Sequence, residues 1–91
     1  MDVVLLTRQT CAFCADAKEI LDRLAAEFSL SVWVIDLDSA EGQELALRGG
    51  VMFPPGIFVG GDLVCYGRPS ERRIRRELER RLVTRATPDA H

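Results

Sequence analysis

Three cysteines stand in the chain, at 11, 14 and 65, and two of them form the run Cys11-Ala12-Phe13-Cys14. Thiols three residues apart can carry a disulfide between them and pass it to another molecule. Ahead of the pair, Thr7-Arg8-Gln9-Thr10 follows the continuous apolar run Val3-Val4-Leu5-Leu6. Behind it, Ala17, Ile20, Leu21, Leu24, Ala25 and Phe28 recur at the spacing of one helix face. The pair therefore falls where the loop after a strand turns into a helix, which Thr10 is placed to cap. Free backbone N–H groups and the helix dipole favour negative charge there and lower a thiol's pKa. Cys11 is predicted to be the nucleophile, titrating below the value of about 8.5 for a free cysteine, with Cys14 above it. Cys14, one turn further on, can attack a mixed disulfide at Cys11 and release the reduced product. Such chemistry needs no cofactor. No metal is expected either: zinc takes about four ligands, and beyond this pair only Cys65 and His91 are suited, with no second CxxC. Phe13, between the cysteines, is expected to stay partly exposed and offer a partner an apolar contact.

The elements that must hold this pair can be read from apolar periodicity. Val3–Leu6 has the pattern of a central parallel strand buried on both faces. Val32-Trp33-Val34-Ile35 gives the second strand, which completes a right-handed strand–helix–strand unit. Residues 39–48 form a short helix, capped by Ser39 or Asp38 and stopped at Gly49-Gly50. Ile57–Val59 and Leu63–Tyr66, joined through Gly60-Gly61-Asp62, make an antiparallel hairpin. A last helix runs from Ser70 to Val83, with Ile74, Leu78 and Leu82 as its buried stripe and its arginines outward. The order is β-α-β-α-β-β-α, an α/β fold with a four-stranded mixed sheet and helices on both faces. Trp33 and Phe28 are expected in the core. Cys65 is expected to fill a half-buried site as a small apolar residue, and Asp36 and Asp38 to serve as caps and turn residues.

At 91 residues, 47% apolar and 29% charged, the chain suits one compact domain, residues 1–83, with a frayed tail over 84–91. No apolar run approaches the roughly twenty residues of a membrane span, and no basic region precedes the first run, so a cytoplasmic home is expected; a monomer is expected as well. Charge is segregated: residues 1–67 carry four basic and ten acidic side chains, whereas 68–85 carry eight Arg and three Glu. Such an Arg-rich segment could bind phosphate or an acidic partner, but without interleaved aromatic or groove-entering motifs it reads as a solvated helix face and not as a nucleic-acid reader.

From about residue 3 to 83 the chain resembles a small glutaredoxin-like protein of the thioredoxin superfamily. Leu6-Thr7-Arg8-Gln9-Thr10-Cys11-Ala12-Phe13-Cys14 is similar to the family's apolar–Thr/Ser–basic–x–x–Cys–x–x–Cys opening. Phe53-Pro54-Pro55-Gly56-Ile57-Phe58-Val59-Gly60-Gly61 is similar to its second motif, an apolar residue, a cis-proline, a short strand and a turn. The resemblance implies a thiol–disulfide oxidoreductase that reduces a protein or small-molecule disulfide and is recharged by a reductase or a low-molecular-weight thiol. It gives Arg8 the role of steadying the thiolate or an acidic group of the partner. The family's spacing from proline to turn selects Pro55 as the cis residue; a register one residue earlier would select Pro54. The alternative on the same fold is a redox-inactive docking module, or an iron–sulfur module in which Cys11 and an external thiol share a cluster between subunits. The presence of Cys14 favours dithiol chemistry.

Two departures bear on the partner. Leu5 replaces the buried aspartate of thioredoxins, and no Trp precedes Cys11. Cys65-Tyr66-Gly67-Arg68-Pro69-Ser70 replaces the Gly-Gly-x-Asp-Asp with which glutaredoxins hold glutathione, and Gly67-Arg68-Pro69 resembles redoxins that serve ribonucleotide reductase and are recharged by thioredoxin reductase. In the family the residue before the cis-proline offers a substrate both an N–H and a C=O. With Pro55 cis that residue is Pro54, which has no N–H; with Pro54 cis it is Phe53, which has one. Glutathione is thus expected to be a poor partner.

Overall fold

The computed structural model describes residues 1–86. The elements are β1 (Asp2–Thr7), α1 (Ala12–Phe28), β2 (Ser31–Asp36), α2 (Ala40–Gly49), β3 (Gly56–Val59), β4 (Asp62–Tyr66) and α3 (Glu71–Ala86). The order and the four-stranded mixed sheet are those expected from the sequence. The sheet runs β2-β1-β3-β4. β1 pairs parallel with β2, Leu5 opposite Val34, and antiparallel with β3, Leu6 opposite Gly56. α3 continues three residues past the Val83 end expected from its stripe, and residues 87–91 of the expected tail lie outside the described residues. Among the described residues no helix is long and apolar enough to cross a membrane.

Alternation along the central strands divides the core. Val3, Leu5, Ile57 and Val59 face one way, against Ala17, Ile20, Leu21 and Leu24 of α1 and Ile74 and Leu78 of α3. Leu6 and Phe58 face the other way, against Ala46 of α2 with Leu37 and Val51. Each fully buried large aliphatic side chain contributes about 1.5–3 kcal/mol relative to exposure. Two expectations fail at the margins of these layers. Trp33 is 61% exposed, with Val32 and Val34 beside it at 36% and 56%. β2 is an edge strand, so its apolar run has a strand neighbour on one side only, and within that run Ile35 packs against the α2 layer. Leu82, expected to complete the α3 stripe, is 49% exposed because the helix has passed the end of the sheet.

The hairpin turn is Gly60-Gly61, both with positive φ (58° and 89°), the geometry that glycine adopts without strain. Between Ile57–Cys65 and Phe58–Leu63 the β3–β4 register slips by one residue, so Val64 is the extra residue of a bulge. That slip puts both Val64 and Cys65 against the α1/α3 layer.

Among the described residues, two ion pairs tie α1 to α3: Arg23 with Glu71 at 2.7 Å, and Glu27 with Arg75. Hydrogen bonding from the partner arginines holds the Glu71 and Glu27 carboxyls below the usual carboxylate range. Groups with depressed folded-state values stabilise above their unfolded value, about 4.3 for Glu, and that contribution is lost as pH falls through the folded value. The expected result is a Tm that falls with pH below about 4.3 less steeply in E27Q/E71Q than in the wild type, by calorimetry; parallel curves would assign these pairs no role.

Candidate redox site

The first turn of α1 is built around Cys11. Its φ and ψ, −141° and 106°, are extended, and its own sulfur accepts a hydrogen bond from the Cys14 N–H at 3.2 Å. Cys11, and not Thr10, is therefore the N-cap. Its carbonyl also accepts from the Cys14 and Ala15 N–H groups at 3.2 and 3.4 Å. Cys11 and Cys14 are joined in a disulfide with Cα atoms 5.2 Å apart. Cys14 is 6% exposed, on the buried face of α1, whereas Cys11 is half-buried. Cys11 is thus the more exposed residue of the pair. The expected exposure of Phe13 is observed, at 45%.

The peptide bond between Pro54 and Pro55 is cis, the register that the spacing to the turn selects. Pro55 is buried, and its carbonyl accepts from the Gly67 N–H at 2.8 Å. Because Leu6 pairs with Gly56, and Gly56 with Tyr66, one row of the sheet leads from the end of β1 through the start of β3 to the end of β4. The Cys11 loop, the prolines and Tyr66 thus share one end of the sheet. Around it stand exposed apolar side chains: Met52 and Phe53 just before the prolines, and Tyr66, whose ring meets that of Phe53 edge-on at 5.5 Å. Gly67, at φ 79°, sits so close to this ring that a Cβ would meet the Phe53 Cε2 at 2.8 Å. Sequence reasoning named Phe53 only as a motif residue and missed Met52 and Tyr66; the signal was there in two large apolar side chains flanking turn residues.

Arg8 is exposed, and its guanidinium grips Asp38 with two bonds, Nε to Oδ2 at 3.2 Å and Nη2 to Oδ1 at 3.0 Å. Asp38 thus has a partner across the loop that its reading as a cap did not anticipate. The turn it belongs to is built as expected: Asp36 Oδ1 accepts from the Asp38 N–H, and Ser39 caps α2 by accepting from Gly42 at 2.9 Å. Among the described residues, no group of three or more His, Cys, Asp and Glu is arranged to hold a metal ion.

Cys65 is a free thiol, half-buried against the core. Burial pushes it up, more than the Ser70 backbone hydrogen bond and the charge of Arg73 draw it down. It should stay protonated and inert at neutral pH. C65A is expected to keep the wild-type rate of disulfide reduction, and a loss beyond about threefold in a dithiol-coupled assay would contradict this.

A CxxC pair at the start of the helix that follows the first strand, at the same end of a mixed four-stranded sheet as a buried cis-proline, defines the thioredoxin-fold class of dithiol proteins. The chain belongs to the glutaredoxin family, whose pattern it matches over residues 3–64, and with it to the thiol–disulfide oxidoreductases. A thioredoxin of Methanocaldococcus jannaschii is 28% identical over 80 residues, covering 88% of this chain and 94% of its own. NADPH-dependent thioredoxin reductase 3 of Arabidopsis thaliana is 36% identical over 53 residues, covering 58% of this chain and 10% of that longer protein. Among solved structures, a mutant thioredoxin from Halobacterium salinarum superposes with a TM-score of 0.66 at 25% identity, over 87% of this chain and 72% of that one. Reduced Escherichia coli glutaredoxin does so with 0.63 at 24% identity, over 91% and 99%, a likeness of fold.

Proposed function

We propose that this chain is a monomeric, cytoplasmic reductase of protein disulfides, with Cys11 as nucleophile and Cys14 as resolving thiol. The observation that carries the assignment is the unequal exposure of the pair, Cys11 half-buried at the helix start and Cys14 6% exposed. In the reduced protein, the Cys14 N–H and the helix N-terminus favour a thiolate at Cys11. That thiolate attacks one sulfur of the substrate disulfide, forming a mixed disulfide and expelling the other substrate sulfur as a thiolate. Cys14 gives up its proton, attacks the Cys11 sulfur and releases the second substrate thiol. Two electrons have passed to the substrate, and the Cys11–Cys14 disulfide remains to be reduced by a donor dithiol.

Phe13, with Phe53 and Tyr66 across the end of the sheet, supports docking of a peptide with apolar residues beside its disulfide. The backbone carbonyl of Pro54, the residue before the cis-proline, offers an acceptor to an extended substrate strand. Arg8, just past the end of β1, is paired with Asp38, and a role toward the thiolate or an acidic group of the partner would draw on that pair.

Glutathione fits poorly. Pro54 has no N–H to give it, and a lost hydrogen bond costs about 0.5–1.5 kcal/mol, up to roughly tenfold in affinity. Arg68, exposed where an acidic pair would hold the glutathione amino group, repels that cation. The likeness to a stretch of a plant thioredoxin reductase supports a donor of the thioredoxin-reductase type. The test compares NADPH and thioredoxin reductase with NADPH, glutathione and glutathione reductase as the source of electrons, on the same protein disulfide. The reductase-coupled rate should exceed the glutathione-coupled rate by about tenfold or more. Rapid glutathione-dependent turnover would overturn the partner assignment.

A further inference from the structure

Most arginines of this protein are neutralised by neighbours. Arg8 pairs with Asp38, Arg23 with Glu71, Arg48 with Glu44 and Arg75 with Glu27, while Arg80 and Arg81 share Glu77. Among the described residues, the guanidinium groups of Arg68, Arg72, Arg73 and Arg76 have neither an ion pair nor a hydrogen bond. These four are together. Arg72, Arg73 and Arg76 line a groove of about 610 Å³ along α3 with Ser70 and with Glu77, whose carboxylate is occupied by Arg80 and Arg81. Arg68, Ser70, Arg73, Cys65 and Tyr66 line an adjoining groove of about 330 Å³. Ser70 and Arg73 belong to both, so the two form one track, and its near end is Tyr66, whose ring packs on Phe53 beside the redox site.

We propose that this track docks an acidic segment of the protein partner, next in sequence to the cysteine whose disulfide Cys11 attacks; the proposal rests on the reading of Cys11 and Cys14 as a protein-disulfide reductase. Charge complementarity identifies the occupant. The rest of the chain is acidic, ten acidic side chains against four basic ones over residues 1–67, so four unpaired cations on one side of it select carboxylates and repel basic segments. Arg72 to Arg76 spans about 6 Å of helix axis. With Arg68 ahead of the helix, the track suits about four residues of extended chain. A nucleic acid is disfavoured because a single-stranded site needs a series of aromatic side chains for stacking, and among the described residues Tyr66 is the one aromatic lining the two grooves.

The test uses two synthetic peptides closed by the same intramolecular disulfide, one with a four-glutamate tail and one with a four-glutamine tail. At low ionic strength the glutamate peptide should be reduced roughly tenfold faster, and the difference should shrink as salt shortens the Debye length from about 30 Å at 0.01 M to about 8 Å at 0.15 M. R72Q/R73Q/R76Q should lose the difference while keeping the wild-type rate on the glutamine peptide, since Gln preserves the helix. R72E/R73E/R76E should instead favour a lysine-tailed peptide. Equal rates for the two peptides with the wild type, or a preference that survives in the triple-Gln variant, would overturn the proposal. So would a thymidine oligonucleotide that binds this face more tightly than the glutamate peptide. If neither peptide is reduced, the reductase reading fails, and docking is decided separately with serine versions of the peptides. Shifts of α3 amide resonances by the glutamate tail alone support the track, and their absence overturns it.

Discussion

C11S is expected to reduce disulfides no faster than the uncatalysed exchange, whereas C14S is expected to accumulate a covalent adduct with its substrate. The two losses are expected to differ because the proposed mechanism gives the two sulfurs different work. A serine hydroxyl at position 11 forms no anion at neutral pH, so nothing attacks the substrate although the fold and the apolar rim are intact. In C14S the half-exposed Cys11 still attacks, but the group behind it cannot displace the mixed disulfide, which then persists until an external thiol releases it. Non-reducing electrophoresis and mass spectrometry of C14S incubated with a disulfide-bonded protein should show the adduct at Cys11. Capture from a cell extract would then identify the partner. Reductase activity surviving in C11S would remove Cys11 from the mechanism.

Gly42→Ala should lower stability by about 1–3 kcal/mol, a Tm fall on the order of 10 °C, even though the same change in an open helix helps by about 1 kcal/mol. Gly42 is buried in the first turn of α2, where a Cβ would stand 2.0 Å from the Asp36 carbonyl oxygen and 2.9 Å from the Leu37 Cα. Both obstacles are backbone, so relief requires α2 to move away from the turn that follows β2. That turn presents Asp38 to Arg8 and receives the Ser39 cap. A thermal melt by circular dichroism settles the sign, and an unchanged or raised Tm would mean that the close approach can relax at no cost.

Much of this architecture was legible because it is written in periodicity. The α1 stripe, Ala17, Ile20, Leu21 and Leu24, is the buried face of the helix, and the apolar run of β1 marks a strand covered on both sides. The site was legible where chemistry and spacing coincide, in the CxxC pair, and the family resemblance pointed to Pro55 as the cis residue. What was missed depends on neighbours that are distant in sequence. Val32-Trp33-Val34 looks like a core strand until the strand order places it at an edge. Cys65 and Val64 point to the same layer because of a bulge that alternation does not reveal. Asp38 meets Arg8 thirty residues away. Thr10 has the better capping side chain by composition, yet the loop delivers Cys11 to that position, and the cap becomes part of the site.

The most direct test of the assignment of Cys11 as nucleophile is the rate at which each cysteine of the reduced native protein is alkylated by iodoacetamide across pH 5–9, mapped by mass spectrometry of the quenched peptides. Cys11 should react first and already at neutral pH, Cys14 more slowly behind it, and Cys65 last, its thiol pushed up by burial. Faster alkylation of Cys14 than of Cys11 at neutral pH would contradict the account, because the sulfur held inside the helix would then be the one that meets the substrate.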